Sequence, residues 1–408
     1  MGSNGHNLIT VIDIGSAKTA VIIAETAENG LKYRGHGTAE SRGTRKGAIV
    51  DLEKAASAVH HAVERAELVS GATISNAMVT VGGTLIRGLN SRGGLTLGSR
   101  PRDVNRDDVR QAIERARSVA IPSDREMLHL LPQEYIVDQQ GAIRDPLGMT
   151  GTKLEVNLHI VTASASQSQS VVTAANKAGV GADDTVFEAL AAAEATLRAD
   201  ERELGVCLID IGAGSSELIV YYEGSVAHTG VVPIGGDHFT NDVAVGLRTP
   251  LTEAEKIKKN FGQAVVTQVP EGREIEVPGV GDRPSRLMSQ RLLAEILEPR
   301  ASELFEYVRD NLKAGGVEDA LGAGVVLTGG GSRLPGLLTV AEALLNVPAR
   351  LASPAPISKL PASLAEPEFA ASIGALHYAY RARLARRVPE ENSFRARMRT
   401  LLERVSVL

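Results

Sequence analysis

The sequence predicts an α/β protein of two lobes, assembled from two related halves, and three observations carry that reading. The first is length: 408 residues exceed what one ordinary hydrophobic core organises. The second is an internal repeat. Thr10–Glu25 reads TVIDIGSAKTAVIIAE and Gly205–Glu223 reads GVCLIDIGAGSSELIVYYE, so Asp13 and Asp210 take the same place 197 residues apart. The third is a glycine-rich strand-to-helix passage, AGVVLTGGGSRLPGLL, over Ala323–Leu338.

Each repeat has a short Val/Ile-rich run, Asp-Ile-Gly, a few small or hydroxylated residues and a second apolar run. That is the pattern of a hairpin of two buried strands. Glycine lets backbone approach an anion, and successive N–H groups in such a turn form a concavity that attracts phosphate. Ser16 and Thr19 in the first hairpin, and Ser215 and Ser216 in the second, add hydroxyl donors; Lys18 adds a point charge. An Asp at a strand end facing phosphates suits Mg²⁺ held through water, since that ion keeps much of its hydration; Asp13 and Asp210 are the candidates. A single glycine turn is ordinarily only a turn. Two matched copies argue for a shared anionic ligand.

Between and beyond the hairpins the pattern is coarser. Leu52, Ala56, Val59, Val63 and Leu68 fall near helical spacing with charges between them, predicting a surface helix. Asn90–Val104 (NSRGGLTLGSRPRDV) reads as an exposed loop. Thr249–Leu287 mixes Pro, Gly and charge, as an inserted, partner-facing lobe would. In Ala323–Leu338 a buried strand, Val325–Leu327, runs into Gly329, Gly330, Gly331 and Ser332. Nucleotides settle beyond the C-terminal ends of such strands, and bare backbone lets a base or ribose lie flat.

Composition excludes several classes. Forty-four basic against 49 acidic side chains leave a net charge of -5, which does not suggest wholesale nucleic-acid binding. A lone Cys207 rules out a disulfide framework within the chain and the usual Cys-rich zinc sites, and fits a reducing compartment. No apolar run approaches the roughly 20 residues that span a bilayer, and Met1–Asn7 is polar, unlike a signal peptide. The bulk is expected in the cytoplasm.

Together the two hairpins and the glycine-rich passage resemble the phosphate-one, phosphate-two and adenosine motifs of the actin, Hsp70 and sugar-kinase superfamily, in order and spacing. Within it the chain resembles the FtsA family of bacterial cell-division proteins over nearly its whole length. The stretches that carry this are KGAIVDLEKAASAVHHAVERAEL (46–68), LHLLPQEYIVD (128–138), ERELGVCLIDIGAGSSELIVY (201–221), LAEILEPRASEL (293–304), GVVLTGGGSRLPGL (324–337) and ASIGALHY (371–378). The resemblance implies an actin-like ATPase fold of four subdomains. Subdomain 1A would hold 8–82, 164–197 and 370–388; the family-specific 1C would hold 83–163; 2A would hold 198–242 and 320–369, with 2B over 243–319. ATP and Mg²⁺ would lie between Asp13, Gly15, Ser16, Lys18 and Thr19 on one side and Asp210, Gly212, Gly214 and Ser215 on the other. Gly329, Gly330, Gly331 and Ser332 would border adenosine. Glu255 and Lys258 stand where the superfamily often contacts ribose and adenine, though the same residues also read as a solvated i,i+3 pair.

The end of the chain changes character. From Arg381 it holds eight Arg against three Glu, with a break at Pro389 and a cap at Asn392 or Ser393. Phe394, Met398, Leu401, Leu402, Val405 and Leu408 fall within an arc of roughly 120° at helical periodicity. Arg397 and Arg404 line one edge of it, Arg395 and Arg399 the other. That describes a helix lying in an anionic membrane interface, and a stripe packed on the protein's own core is the competing reading. The family's membrane-targeting helix sits at this place, over 389–408. One short helix binds weakly, so attachment would draw on many copies side by side.

The resemblance therefore implies an ATP-binding protein that polymerises on the inner face of the membrane at the division septum and tethers FtsZ there. The FtsZ C-terminal peptide would dock on 2B, with Arg283, Arg286, Arg291 and Arg300 as contacts, and other division proteins would meet 1C. Hydrolysis would be slow at most: no water-positioning residue stands out, and Gln133 and Glu134 read as structural. A pilus-assembly scaffold, a small-metabolite kinase and an Hsp70-like chaperone are the rivals. The kinase lacks an evident catalytic Asp beyond the hairpins, and the chaperone needs a large domain where only about 30 residues follow SIGALHY.

Overall fold

The computed structural model describes residues 7–28 and 30–387, without the side chains of 385–387. The expected membrane helix, with Phe394, Arg395, Arg397, Met398, Arg399, Leu401, Leu402, Arg404 and Val405, lies outside the described residues.

The chain opens with β1 (Leu8–Ile14), β2 (Lys18–Ala27) and β3 (Gly30–Glu40), an antiparallel meander. A tiny hairpin of β4 (Thr44–Arg45) and β5 (Ala48–Ile49) follows, then α1 (Leu52–Ser70). Helix α1 starts where the Asp51 side chain accepts the Lys54 N–H and stops at Gly71 in the left-handed conformation. Ala55, Ala56, Val59, Ala62, Val63 and Ala66 form its buried face. Leu68 does not belong to that face, being 85% exposed: α1 packs so closely on β3 that its contact residues are alanines. Gly37 makes room, since a Cβ there would sit 2.0 Å from the Ala62 carbonyl. The strand β6 (Asn76–Val81) then runs parallel to β1.

An inserted unit follows: β7 (Arg87–Thr96), β8 (Arg102–Asp103), α2 (Arg106–Arg117), β9 (Arg125–Val137), β10 (Gln140–Ile143), β11 (Thr150–Gly151) and β12 (Lys153–Ser164). Its four-stranded sheet has the order β10-β9-β12-β7 and its own core of Leu130, Leu154, Val156, Leu158 and Ile160, covered by Ala112, Ile113 and Ala116 of α2. Here the loop expected over Asn90–Val104 is largely a strand. Residues 87–96 pair with β12 along their whole length, and Leu95 and Leu97 are buried. Gly93 there serves helix packing rather than a turn: a Cβ on it would meet Ala112 and Ala116 at 2.6 and 2.1 Å.

The first half is completed by α3 (Ala165–Lys177), β13 (Gly181–Phe187) and the alanine-rich α4 (Glu188–Thr196); α5 (Ala199–Leu204) leads onward. The second half begins with β14 (Val206–Ile211), β15 (Ser216–Tyr222) and β16 (Ser225–Val232). A lobe of α6 (Gly236–Gly246), α7 (Leu251–Phe261), β17 (Glu274–Val277), β18 (Arg286–Ser289) and α8 (Gln290–Ala314) comes next. Then come β19 (Val325–Thr328), α9 (Leu337–Leu345), β20 (Ala349–Leu351) and α10 (Ala370–Arg387). The expected division at 242–243 falls inside α6, and that at 163–164 inside β12.

The two halves repeat one sheet. The first reads β3-β2-β1-β6-β13 and the second β16-β15-β14-β19-β20, each with two antiparallel pairings followed by two parallel ones. Strands such as β1 and β14 are buried on both faces, which is why they are continuous Val/Ile/Leu runs rather than alternating ones. Helix α10 returns to the first half and packs on α4, where Gly374 lets backbones touch: a Cβ there would lie 1.7 Å from the Ala191 carbonyl.

Candidate functional site

The two Asp-Ile-Gly hairpins close in the same way. Ile14 pairs with Thr19 and Ile211 with Ser216 at the strand ends. In the turns, the Gly15 N–H donates to the Lys18 carbonyl and the Gly212 N–H to the Ser215 carbonyl, both at 3.0 Å. The repeat seen in sequence is therefore a repeat of hydrogen bonding, with Lys18 and Ser215 in equivalent positions. The turns also meet: a Cβ on Gly214 would come 2.8 Å from Ser16 Oγ. Bare backbone at Gly214 is what allows the two halves to approach there.

The paired aspartates stand in different surroundings. Asp13 is buried, and its Oδ1 and Oδ2 accept hydrogen bonds from the hydroxyls of Thr80 and Ser372. Asp210 keeps some exposure beside the turn after β19 and has no hydrogen-bond or ion-pair partner among the described residues. Desolvation, with Asp13 adding like charge, pushes its carboxyl up to about 7, and Lys18 opposes the rise. A carboxylate in that position is completed by a hydrated cation, so the donor set fits Mg²⁺ held through water.

Lys18 extends from the start of β2 across to the second half. Its Nζ lies 3.2 Å from Glu368 and 3.3 Å from the centroid of the Phe369 ring. Burial lowers its pKa, and the Glu368 carboxylate counteracts this. A phosphate held in this turn would compete with Glu368 for the ammonium. Thr19 is fully buried and faces Ser41, 2.8 Å away, rather than the mouth of the turn. Ser16 Oγ accepts the Gly47 N–H at 2.9 Å.

The glycine-rich turn after β19 borders the second hairpin. Gly329 has φ 81°, and a Cβ there would strike Asp210 Oδ1 at 2.1 Å. Gly331 packs against Ile211 and Gly212, Gly330 is exposed, and Ser332 closes the turn by donating its hydroxyl to the Gly329 carbonyl at 2.6 Å. Glu255 and Lys258 are joined to the same place. Lys258 Nζ donates to the Gly236 carbonyl at 2.9 Å and to Thr240 Oγ1 at 2.7 Å, and pairs with Glu255 at 2.6 Å. Gly236 in turn donates to the Gly212 carbonyl. Lys258, with a side chain only 12% exposed, is thus no solvated partner. Though burial works against it, Glu255 is held down to about 2 by Lys258, Thr240 and Lys259.

Two acidic residues that sequence reading did not single out lie behind the hairpins. Glu217, on β15, accepts the N–H groups of Gly83 and Ala189 from the first half. Glu188, at the start of α4, is hydrogen-bonded to Thr80. A Cβ on Gly82 would meet Glu217 Oε1 at 2.3 Å and Glu188 Oε2 at 2.4 Å, so the two carboxyls converge on that glycine. Desolvation raises both pKa values; at Glu188 the neighbouring Glu217 adds like charge, and at Glu217 the Gly83 and Ala189 N–H groups oppose the rise while Asp210 and Asp13 add to it. Each had a faint signal: Glu217 interrupts an apolar strand, and Glu188 opens an alanine-rich helix after a buried Val-Phe.

The arginines expected to meet a partner are unequal. Arg283 is exposed, whereas Arg291 pairs with Glu295 at 3.7 Å and Arg286 donates to the Leu247 carbonyl. Arg300 is held by Asp242 at 2.6 Å and by Glu303. Gln133 donates to the Val226 carbonyl at 2.9 Å and Glu134 accepts from Ala142 and Asn157; both serve structure. Among the described residues no helix is long and apolar enough to cross a membrane.

Comparison with known proteins places this geometry. The family model described as cell division protein FtsA matches residues 207–374, and the one described as the SHS2 domain inserted in FtsA matches 83–162. The cell division protein FtsA of Pseudomonas aeruginosa is 40% identical over 372 residues, covering 91% of this chain and 89% of its own length. That of Escherichia coli K12 is 34% identical over 381 residues, covering 91% and 90%. Among solved structures, a PilM-PilN type IV pilus biogenesis complex superposes with a TM-score of 0.64 at 15% identity, over 91% of this chain and 98% of that one. MreB5 of Spiroplasma citri bound to ADP superposes at 0.55 with 14% identity, over 91% and 96%. At those identities the structures establish a shared actin-like fold.

Proposed function

The chain belongs to the FtsA family of cell-division proteins, and from that premise we propose that it is an ATP-binding adaptor at the division septum. It binds Mg-ATP between its halves, polymerises on the inner face of the cytoplasmic membrane, and tethers FtsZ filaments there. The observation that carries the nucleotide half is the pair of identically closed hairpins that meet at Gly214 and Ser16, with Asp210 lacking a partner among the described residues and Lys18 close to it. The MreB5 structures with ADP and with AMPPNP support a nucleotide in this fold. Asp210 is the principal Mg²⁺ holder and Asp13 adds charge behind it, while Gly15, Ser16, Gly212, Gly214 and Ser215 wrap the phosphates. Bound Mg²⁺ neutralises the phosphate charge.

The membrane half rests on the tail's apolar stripe and flanking arginines. Each basic residue near an anionic leaflet contributes about 1 kcal/mol, so attachment strengthens through filament avidity. FtsZ's peptide docks on the lobe of α7, α8 and the β17–β18 pair, with Arg283 the most available of its arginines. Other division proteins meet the inserted unit. The test is co-sedimentation with anionic liposomes, with and without Mg-ATP, comparing the full chain with one ending at Pro389. Pelleting of the full chain alone, altered by nucleotide, supports the adaptor. Equal behaviour of the two chains removes the membrane half and leaves the nucleotide site.

A further inference from the structure

The β4–β5 hairpin has a two-residue tip, Lys46–Gly47, set by the pairings Thr44 with Ile49 and Arg45 with Ala48. Both tip residues have positive φ, 52° and 75°, as a tight primed turn requires. This tip stands between the two phosphate hairpins. Gly47 donates its N–H to Ser16 Oγ at 2.9 Å and accepts from the buried Gln167 amide at 2.6 Å, so its backbone is gripped on both sides. Thr44 Oγ1 donates to the Gly15 and Ser16 carbonyls at 3.4 and 3.3 Å. On the opposite side, a Cβ on Gly214 would come 2.6 Å from the Lys46 Cα, and one on Gly47 would come 3.4 Å from Ser215 Oγ.

Position along the cleft decides which end of a nucleotide would meet it. The glycine-rich turn lies against Asp210, Ile211 and Gly212, and Lys18 is drawn to the same side by Glu368. The tip lies instead against Gly214 and Ser215, away from that turn. At that far end the cation available is Lys46, exposed and without an ion pair among the described residues.

We propose that the Lys46–Gly47 turn is a third wall of the phosphate site, and that Lys46 distinguishes a nucleoside triphosphate from a diphosphate by meeting the terminal phosphate. The inference rests on the nucleotide reading above and deepens it. Calorimetric titration of the full chain with Mg-ATP and Mg-ADP tests it, on the wild type, Lys46→Ala and Lys46→Arg. Loss of one charge-assisted contact weakens ATP binding about tenfold in Lys46→Ala; ADP affinity stays within about twofold, and Lys46→Arg keeps most of the preference. Because Lys46 is exposed, the nucleotide-free melting temperature should not move. Gly47→Ala, whose Cβ would lie 2.4 Å from the Gly83 Cα, displaces the tip and should reproduce the lost preference. If the wild type binds both nucleotides and Lys46→Ala weakens neither, or both alike, the sensor role is overturned while the ATP site stands. If the wild type binds neither, the nucleotide reading itself falls, and this proposal with it.

Discussion

The two hairpins share a turn, a hydrogen bond and a strand order, yet differ in what surrounds them. In the first half, Asp13 is enclosed by the hydroxyls of Thr80 and Ser372, and the turn ends in a cation, Lys18. In the second half, Asp210 has no hydrogen-bond donor among the described residues, and the position of Lys18 is taken by Ser215. Duplication has kept the geometry and divided the labour. One half holds its carboxyl with two hydroxyl donors, and the other presents a carboxyl without a donor among the described residues.

The strongest way to break this comparison is to neutralise each aspartate. Asp13→Asn and Asp210→Asn should both lower Mg-ATP affinity by about tenfold or more, read by calorimetry, but should move nucleotide-free stability in opposite directions. Asn at 13 weakens two charge-assisted bonds and lowers the melting temperature. Asn at 210 removes a carboxyl whose ionisation the fold resists, and raises it. The sign follows from linkage: Asp210 binds its proton more tightly folded than its ordinary 3.8 allows, so its contribution is intact below that value and is lost as pH rises toward about 7. Asp210→Asn should therefore flatten that part of the stability–pH profile. A lower melting temperature at pH 7.5 would count against the assigned difference.

A smaller effect should separate the equivalent turn positions. Lys18→Ala is expected to cost about tenfold in Mg-ATP affinity, the loss of a charge-assisted contact, and Ser215→Ala only two- to threefold, roughly that of a neutral hydrogen bond. Equal losses would mean that the halves grip the phosphates alike. The smallest expected change has the opposite sign. Glu368 lies 3.2 Å from Lys18, so Glu368→Gln should free the ammonium and tighten nucleotide binding by roughly threefold. Weaker binding would show that Glu368 supports the site rather than competing for it.

What could be read in the sequence was what is contiguous. Asp13–Lys18, Asp210–Ser215 and Gly329–Ser332 carry their geometry in a few neighbouring residues, because turn closure is local. The remainder of the site comes from residues far apart in the chain: Thr80, Gln167 and Ser372 are unremarkable where they stand, and Glu188 and Glu217 are marked only by interrupting apolar surroundings. Fold class was legible through the repeated hairpin; the strand at 87–96 was not, because a glycine under a crossing helix looks like a glycine in a turn. Leu68 misled for a related reason. Spacing marks a helix face, but the closeness of β3 decided that alanines, not the larger residue, would fill it.

The inserted unit is spliced into the first half, between β6 and α3, yet its sheet lies along β16 of the second. Gln133 and Asn90 donate to backbone carbonyls of Val226 and Ala227, His159 Nε2 lies 2.9 Å from Thr229 Oγ1, Ser225 donates to Gln133, and Arg144 reaches Glu203. The unit is thus bonded to both halves: its His129 Nε2 accepts the Phe187 N–H of the first, while the row along β16 joins it to the second. If the halves swing about their junction, the unit cannot remain at rest relative to both. It must shear the row of bonds along β16 or flex the two strands by which it is tethered, and either way a small rotation at the cleft becomes displacement at its outer edge.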